Sequence, residues 1–362
     1  MKKIFLYAYD RQNLGDDLFV NTIVNRYPHT RFYMLSDREN QQTFSALPNL
    51  KIIDRNSCWI NSIEKICPSF ISRYRNNLEN RCDAIVYIGG SIFIEYEPWQ
   101  NYVAWWKSHA EKKPMYAIGA NWGPYRTTAY LQGMDSAFGV LQDVCFRDQY
   151  SYQKFHSNPH VRLAPDILFS YPMPNRTVKS RQIFVSLIDC FSTEHTVLAP
   201  YGDAYLENME KLLKAYISKG CHIILASFCK CEGDENAVDL LYDRLQANNC
   251  GDKVQVLFYD GTNAETFIGM IAESEGVIAT RFHGIVLALA AGKPVLPLVY
   301  SDKTIHMLDD ISFSGMVQDL RTNLPWNIET LETCWLEDPY LLPTEIKDKA
   351  FGHFQELDKL LC

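Results

Sequence analysis

The 362-residue chain lacks the patterns that mark membrane-spanning and nucleic-acid-binding proteins. It has no window of about 18 uncharged apolar residues, the length needed to cross a bilayer. The most apolar stretch, residues 277–299, is interrupted by Arg281, His283, Lys293 and two prolines. There is no run of basic residues, and the net charge is -8, whereas nucleic-acid binding depends on basic patches. We therefore expect neither a membrane span nor a nucleic-acid partner.

Paired cysteine motifs and the dinucleotide-binding fingerprint are also missing. The 11 cysteines include no CxxC pair, so we expect reduced, mostly buried thiols. Cys229 and Cys231, with Cys221 and His222 nearby, have the wrong spacing for common structural zinc sites, so we expect no metal. No GxGxxG motif and no internal repeat occur. The first ten residues predict a β-strand rather than a signal peptide, because an aspartate follows the apolar run at once.

Strand-like and helix-like segments alternate along the chain in two series. The length exceeds what one ordinary core accommodates, and 47% apolar residues are enough to fill two. A proline-containing stretch, residues 171–181, separates the series and predicts a linker. The pattern predicts an α/β protein with two doubly wound, Rossmann-like domains facing each other across a cleft. We place the domains at residues 1–175 and 176–310, followed by a tail at 311–362 with a terminal amphipathic helix.

The most informative stretch is residues 275–303, which predict strand, helix and strand in succession. Gly292 ends the apolar helix, and Pro294 follows. Arg281, Phe282, His283 and Gly284 fall between the first strand and the helix in this interpretation. A helix N-terminus favours anions, and arginine adds a two-pronged donor, so the loop predicts a site for phosphate or carboxylate.

Other polar and small residues follow predicted strands at several points of the chain. In doubly wound sheets ligands bind outside the carboxyl ends of the strands, so these residues are candidate site residues. They are Asn13, Gly15, Asp16, Gly89, Gly90, Ser91, Asn121, Arg147, Asp148, Asp189, Ser227, Tyr259, Asp260, Tyr300, Ser301 and Lys303. We also expect Asp16 or Asp17 to cap the helix that follows the first strand.

Seven motifs, in order along residues 4–305, together resemble the polysaccharide pyruvyl transferase family. They are NLGDD, YIGGSIF, GANWGP, FRDQYS, APDILF, SFCKCEGDE and TRFHGIVLALAAGKPVLPLVYSDK. YIGGSIF departs from the family, because many members have a further glycine there. The resemblance implies two Rossmann-type domains arranged as in GT-B glycosyltransferases. It also implies transfer of the enolpyruvyl group of phosphoenolpyruvate to a capsule, exopolysaccharide or cell-wall saccharide, often lipid-linked, usually giving a ketal across two hydroxyls.

The resemblance also implies roles for particular residues. Arg281 and His283 would hold phosphoenolpyruvate or assist its chemistry, and Arg147 would be a second anion contact. Because the donor carries both a phosphate and a carboxylate, its chemistry needs at least two cationic contacts, to which Lys303 and the backbone of Phe282 and Gly284 would add donors. Histidine exchanges protons near neutral pH, so His283 is either the general acid or a ligand of the leaving phosphate. A carboxylate of the opposing domain would be the base; we choose Asp16 over Asp17 because it lies nearer the loop, but the sequence does not separate it from Asp17 or another carboxylate.

The remaining candidates lie on the acceptor side. Trp122, Tyr96 and Trp99 would stack on sugar faces, and the small and polar groups would line the site; these are Asn13, Gly89, Gly90, Ser91 and Asn121. The chemistry requires no cofactor and no metal, only phosphoenolpyruvate as donor. We expect action in the cytoplasm, at the inner face of the membrane, with peripheral membrane contact left open. The oligomeric state and the acceptor sugar remain open.

Plainer explanations compete with each assignment. His283 would be a core histidine, Asp16 a helix cap, and Arg147 the partner of Asp148 in a local ion pair. The tryptophans would belong to the core, and Lys303 would be a solvated loop lysine. Two other functions also compete: a GT-B glycosyltransferase using a nucleotide sugar, and a non-catalytic saccharide-binding relative.

Overall fold

A computed structural model describes residues 1–55, 70–322, 325–332 and 334–362 of the chain. These residues divide into two compact units. The first unit contains Met1–Asp10, Asp16–Ile167 and Asp348–Cys362, and the second contains Arg11–Gly15 and Leu168–Lys347. The short segment Arg11–Gly15 thus belongs to the second unit, although both of its neighbours in sequence belong to the first.

The first unit is built on a seven-stranded sheet in which all neighbouring strands are parallel. Its strands are β1 Lys3–Tyr7, β2 Arg31–Ser36, β3 Leu50–Asp54, β4 Ala84–Ile88, β5 Met115–Ala120, β6 Asp143–Phe146 and β7 Val161–Leu163. The spatial order is β3-β2-β1-β4-β5-β6-β7, so the winding reverses between β1 and β4. The central strands are buried, as expected for a parallel sheet covered by helices on both faces.

Helices connect these strands, because parallel neighbours require crossover connections. They are α1 Leu14–Arg26, α2 Asn40–Thr43, α3 Phe70–Asn80, α4 Trp99–Ala110, α5 Thr128–Phe138 and α6 Gln149–Phe155. Leu18, Ile23 and Val24 of α1 are buried, as their spacing predicts. The polar, weakly periodic stretch of residues 55–81 predicts a helix with loops; residues 56–69 of it lie outside the described residues, and α3 forms most of the rest.

The second unit has a six-stranded sheet that is also parallel throughout. Its strands are β8 Lys179–Ser186, β9 His222–Ser227, β10 Val254–Phe258, β11 Ser274–Ala279, β12 Val295–Val299 and β13 Gln318–Asp319. Its helices are α7 Gly202–Ser218, α8 Asp234–Ala247, α9 Ala264–Glu273, α10 Phe282–Ala290, α11 Asp302–Asp310, α12 Ile328–Leu331 and α13 Cys334–Glu337. The order β10-β9-β8-β11-β12-β13 reverses between β8 and β11.

The α/β fold class predicted from the alternating pattern is confirmed, and three local expectations differ from the structure. The predicted linker at residues 171–181 ends in strand, because β8 begins at Lys179. The predicted tail at 311–362 is divided, since only Asp348–Cys362 belongs to the first unit. The terminal helix is two helices, α14 Thr344–Ala350 and α15 Gln355–Leu361, separated by a 3-10 turn. No helix of the described residues is long and apolar enough to cross a membrane.

The C-terminal segment is fixed to the first unit by polar contacts. Asp358 on α15 accepts hydrogen bonds from Nε and Nη2 of Arg26 at 3.0 and 2.7 Å, and from the Tyr27 hydroxyl at 2.7 Å. His353 is fully buried; its Nδ1 accepts from the Gly119 N–H, and its Nε2 donates to the Pro165 carbonyl. Burial lowers the pKa of His353 to about 3, so the imidazole is neutral.

Replacing Asp358 tests how strongly this contact stabilises the unit. We expect Asp358→Asn to lower the free energy of unfolding by about 1–2 kcal/mol, because it weakens a two-pronged arginine contact and a tyrosine hydrogen bond. Glu356→Gln, on the same helix, removes an ion pair with the mostly exposed Lys359 and should change stability by less than about 0.5 kcal/mol. Thermal unfolding and limited proteolysis of the two variants measure this, and equal losses in both would contradict the assignment.

Candidate functional site

Arg281 follows β11 at the point where the strand order of the second unit reverses, the expected position of a ligand site. It has extended backbone angles and precedes α10, which begins at Phe282. Phe282, His283 and Gly284 therefore lie in the first turn of the helix. This corrects the expectation that they form a loop before it. A Cβ on Gly284 would come within 2.7 Å of Ser186 Oγ, so glycine lets the helix pack closely on β8.

The Arg281 guanidinium is bound by two carboxylates and is nearly inaccessible, with 6% of the residue exposed. Its Nε donates to Asp234 Oδ2 at 2.8 Å, its Nη2 donates to Asp234 Oδ1, and its Nη1 donates to Glu232. Asp234 also accepts from the backbone N–H groups of Phe228 and Cys229, at 3.1 and 3.0 Å. This arrangement is a buried ion cluster, and it uses Arg281 to join the ends of β9 and β11.

Burial and the opposite charges act against each other in this cluster; at Asp234 burial prevails and raises the pKa of the carboxyl despite Arg281. Burial by itself would lower the pKa of Arg281, but Asp234 and Glu232 more than offset this and hold it above its usual value. Burial would raise the pKa of Glu232, yet Arg281, Lys303 and His195 bring it down to about 2. The expected role of Arg281 as a direct anion contact does not match these bonds, because its positive charge is already neutralised.

His283 lies half-buried against Gly15 of the NLGDD motif. A Cβ on Gly15 would overlap the imidazole ring, so only glycine leaves room for His283 in this position. The backbone N–H of Leu14 donates to the Phe228 carbonyl at 3.1 Å, which fixes the motif beside the loop after β9. Motifs 268 positions apart in the sequence thus form one site within the second unit.

Asn13 joins the same motif to the ion cluster. Its Nδ2 donates to Glu232 Oε1 at 3.3 Å, and its Oδ1 accepts from the backbone N–H of Gly15 at 3.1 Å. The second bond is a helix cap, because α1 begins at Leu14. Asn13 therefore has the capping role that we had assigned to Asp16 or Asp17, which lie inside the first turn.

Lys303 is the cation of the second unit's site that remains outside the ion cluster. It is the second residue of α11, not a loop residue, and its amine lies 5.9 Å from the ring centre of Phe282 and 5.8 Å from that of Tyr300. It forms no ion pair with any carboxylate of the described residues. An ammonium group held by two aromatic faces can still bind an anion through its hydrogens.

His195 was missed by the sequence analysis, because it lies in no motif and follows no strand directly. It belongs to the 3-10 segment Thr193–Tyr201 and has non-helical angles within it. Its ring centre is 5.7 Å from that of Tyr300, and its Nε2 is 3.6 Å from Glu232 Oε2. Burial and the charge of Arg281 lower the pKa of His195 to about 4, so the ring is neutral.

In the first unit, Arg147 contacts the loop that follows β5. Its Nη1 donates to Asp166 at 2.9 Å and its Nη2 donates to Asn121 Oδ1 at 2.7 Å. A Cβ on Gly90 would come within 2.7 Å of the guanidinium, which explains the small residue there. The plainer explanation, a local ion pair between Arg147 and Asp148, is wrong. Asp148 instead caps α6 by accepting a hydrogen bond from the Ser151 N–H.

The remaining predicted residues of the first unit have mixed positions. Ser91 Oγ lies 3.4 Å from Asn121 Oδ1, and the Gly89 N–H donates to the Ile118 carbonyl. Asp16 lies near Tyr87, where its charge adds to burial in raising the pKa of the phenol. Trp122 is only 4% exposed and stacks on Tyr130 with ring centres 5.1 Å apart. The prediction that Trp122 stacks on a sugar is therefore corrected, because its face is occupied within the core.

No three metal-binding side chains of the described residues come together as a site. The described site of the second unit instead contains an arginine, a lysine, two histidines and two carboxylates, a set suited to holding an anion and moving protons.

Solved structures with the same fold cover nearly the whole chain. UDP-GlcNAc 2-epimerase from Methanocaldococcus jannaschii has a TM-score of 0.59 and 10% identity, covering 99% of this chain and 100% of the other. Anabaena Alr3699/HepE in complex with UDP and glucose has a TM-score of 0.58 and 12% identity, covering 100% and 99%. At such identities the likeness concerns the fold alone, which is of the GT-B type.

A family profile identifies the family, and a curated sequence relative agrees with it. Amylovoran biosynthesis protein AmsJ of Erwinia amylovora is 22% identical over 288 residues, which are 72% of this chain and 67% of the relative. The profile of the polysaccharide pyruvyl transferases matches residues 13–302, which include both the NLGDD motif and the helix that carries His283. The chain belongs to the polysaccharide pyruvyl transferase family and is thus a transferase.

Proposed function

We propose that this transferase moves the enolpyruvyl group of phosphoenolpyruvate onto a saccharide and releases phosphate. The acceptor in this proposal is a lipid-linked precursor of a surface polysaccharide, and the product is a pyruvate ketal across two hydroxyls. The family match and a relative named for amylovoran biosynthesis support a polysaccharide acceptor. In this proposal the transferase acts at the inner face of the membrane, which it contacts peripherally.

One observation carries the proposal. His283 lies against Gly15 in the first turn of α10, and Lys303, which forms no ion pair with a described residue, lies beside Phe282 of the same turn. The donor carries a phosphate and a carboxylate on three carbons, so it requires cationic groups and a proton donor close together. Lys303 and the first turn of α10 supply the anion contacts in this proposal. Arg281 does not contact the donor in this proposal, and its role is to hold Glu232 and Asp234 in place.

The proposed chemistry starts with proton transfer from His283 to C3 of phosphoenolpyruvate, which makes C2 electrophilic. A sugar hydroxyl then adds to C2 and loses its proton. The C2–O bond to phosphate breaks, phosphate leaves with a proton, and the second hydroxyl adds to C2 to close the ketal. Every proton gained by C3 and phosphate is matched by one lost from a hydroxyl, and no electrons are gained or lost overall, so the reaction needs no oxidant or reductant; the proposal includes no metal or cofactor. Asp16 and the Gly89–Ser91 loop of the first unit stay predictions for the acceptor side.

The direct test of the proposal follows both products. Purified protein, a lipid-linked oligosaccharide acceptor and phosphoenolpyruvate should give phosphate and a saccharide heavier by one ketal, measured by mass spectrometry. The same mixture with UDP-sugars in place of phosphoenolpyruvate should release no UDP. UDP release would favour a glycosyltransferase, and binding of saccharide without either product would favour the non-catalytic alternative.

Replacing His283 tests the general acid. We expect His283→Ala to lower kcat roughly 10²–10⁴-fold, the usual contribution of general acid–base catalysis, while the thermal unfolding temperature stays the same. His222→Ala is the control, since His222 is exposed at the start of β9. Turnover equal to that of the wild-type protein would exclude this role for His283.

Adding one methyl group at Gly15 tests the position of the imidazole. Gly15→Ala should lower kcat by about 100-fold, because the Cβ overlaps the present position of the His283 ring. Alanine suits a helix better than glycine, but the overlap forces the His283 ring or the start of α1 to shift, so thermal unfolding is measured beside kcat to separate a displaced ring from a weakened fold. Gly269→Ala is the matched control, because no atom lies within 4 Å of a Cβ at that helical glycine. Equal activity of the two variants would contradict the assigned contact.

The two cations of the site should respond differently to loss of charge. Lys303→Gln should raise the KM for phosphoenolpyruvate about 10-fold and leave unfolding unchanged, as expected for loss of one charged hydrogen bond. Arg281→Gln should instead destabilise the second unit by about 3–5 kcal/mol, because two carboxylates remain without their cation. Steady-state kinetics and thermal unfolding of both variants separate these outcomes; an Arg281→Gln protein of normal stability with a raised KM would reverse the assignment.

A further inference from the structure

Among the described residues, none forms a hydrogen bond with Nε2 of the His195 ring. Its side chain is 13% exposed, and Nε2 has no hydrogen-bond partner among the residues described. Glu232 Oε2, at 3.6 Å, is too distant for a hydrogen bond. Buried polar groups in folded proteins are nearly always hydrogen-bonded, so an unused nitrogen in this position requires an explanation.

Two more polar atoms without a partner lie on the chain beside Tyr300. Ser301 Oγ, at the cap position of α11, and Thr304 Oγ1, in the first turn of the same helix, are buried without hydrogen bonds in the described structure. The Tyr300 ring centre lies 5.7 Å from that of His195 and 5.8 Å from the Lys303 amine. Ser301 and Thr304 thus flank Lys303 in sequence at the start of α11, where anions are favoured, and the Tyr300 ring links His195 to Lys303.

We propose that His195 is a further donor-binding residue, whose Nε2 hydrogen-bonds the phosphate of phosphoenolpyruvate beside Lys303. The inference rests on the function proposed above and adds a residue to its donor site. Nε2 is itself buried, so an anion reaches it only when the His195 ring turns or the side chains around it shift, but no hydrogen bond of this nitrogen has to be broken.

Neighbouring charges, together with burial, keep the His195 ring neutral before a ligand binds. The groups that act on it are Arg281 and Lys303, which oppose its protonation, and Glu232 and Asp189, which favour it. With burial these keep the pKa near 4, so the ring is neutral before the ligand binds. A phosphate adds negative charge and favours the imidazolium, so binding takes up a proton from solvent. Affinity should consequently increase as the pH falls from 8 towards 6.

The experiment compares three variants of the full-length protein. His195→Phe keeps the ring packing on Tyr300 and removes the nitrogen, and His195→Gln places an amide nitrogen near the Nε2 position. We expect His195→Phe to raise the KM for phosphoenolpyruvate at least 10-fold with kcat within about threefold, and His195→Gln to have a smaller effect. His222→Phe, at an exposed site of the same unit, should match the wild-type protein.

Calorimetric titration with phosphoenolpyruvate, in buffers of different ionisation enthalpy, gives a readout besides activity. Wild-type protein should take up more protons on binding than His195→Phe, by up to one per site. Equal KM values and equal proton uptake would overturn the role of His195 while leaving the proposed function in place. A fall in kcat alone would overturn it too. If the wild-type protein neither binds nor consumes phosphoenolpyruvate, the proposed function fails, and this inference fails with it. Should His195→Phe not fold, His195→Gln carries the comparison.

Discussion

The site of the second unit depends on the burial of one guanidinium group. Removing a charge from water is costly unless opposite charges and hydrogen bonds replace the solvent. Asp234 does this for Arg281 through two parallel bonds and also binds the backbone of the loop after β9. The ends of β9 and β11 are thereby held in one arrangement. The same cluster leaves Glu232 ionised at the edge of the site, where it meets Asn13, His195 and the field of Lys303.

Small residues then decide which side chains approach this cluster. Gly284 lets α10 rest on Ser186, and Gly15 leaves space for the His283 ring. Asn13 connects the two arrangements, because one end of its amide caps α1 and the other binds Glu232. The NLGDD motif therefore serves the second unit through its first three residues, although Asp16 and Asp17 continue into the first. This motif, although continuous in sequence, thus contributes residues to two compact units.

The sequence predicts what is local and misses what is distant. Apolar runs and the glycine after α10 were enough to predict β11, α10 and β12, since periodicity and helix termination are local effects. The start of α10 was placed three residues late, because Phe282 and His283 are ordinary helix residues that carry no boundary signal. Arg281 pairs with Asp234, 47 positions earlier, and no periodic pattern in the sequence predicts this pairing. Trp122 was misassigned for the same reason, since tryptophan suits a core and a sugar site equally in sequence.

The balance of fixed charges constrains how an anionic donor can bind. Asp234 and Glu232 neutralise Arg281, so Lys303 is the fixed cation of the described site that remains for a ligand, and one cation alone attracts a highly charged ligand weakly. Favourable binding must then come from directed hydrogen bonds and from groups that gain charge when the ligand arrives. Histidine is the side chain that gains charge most easily near neutral pH, and this site contains two. A balanced site of this kind gives up some affinity for anions in general, and it makes recognition depend on the geometry of one donor.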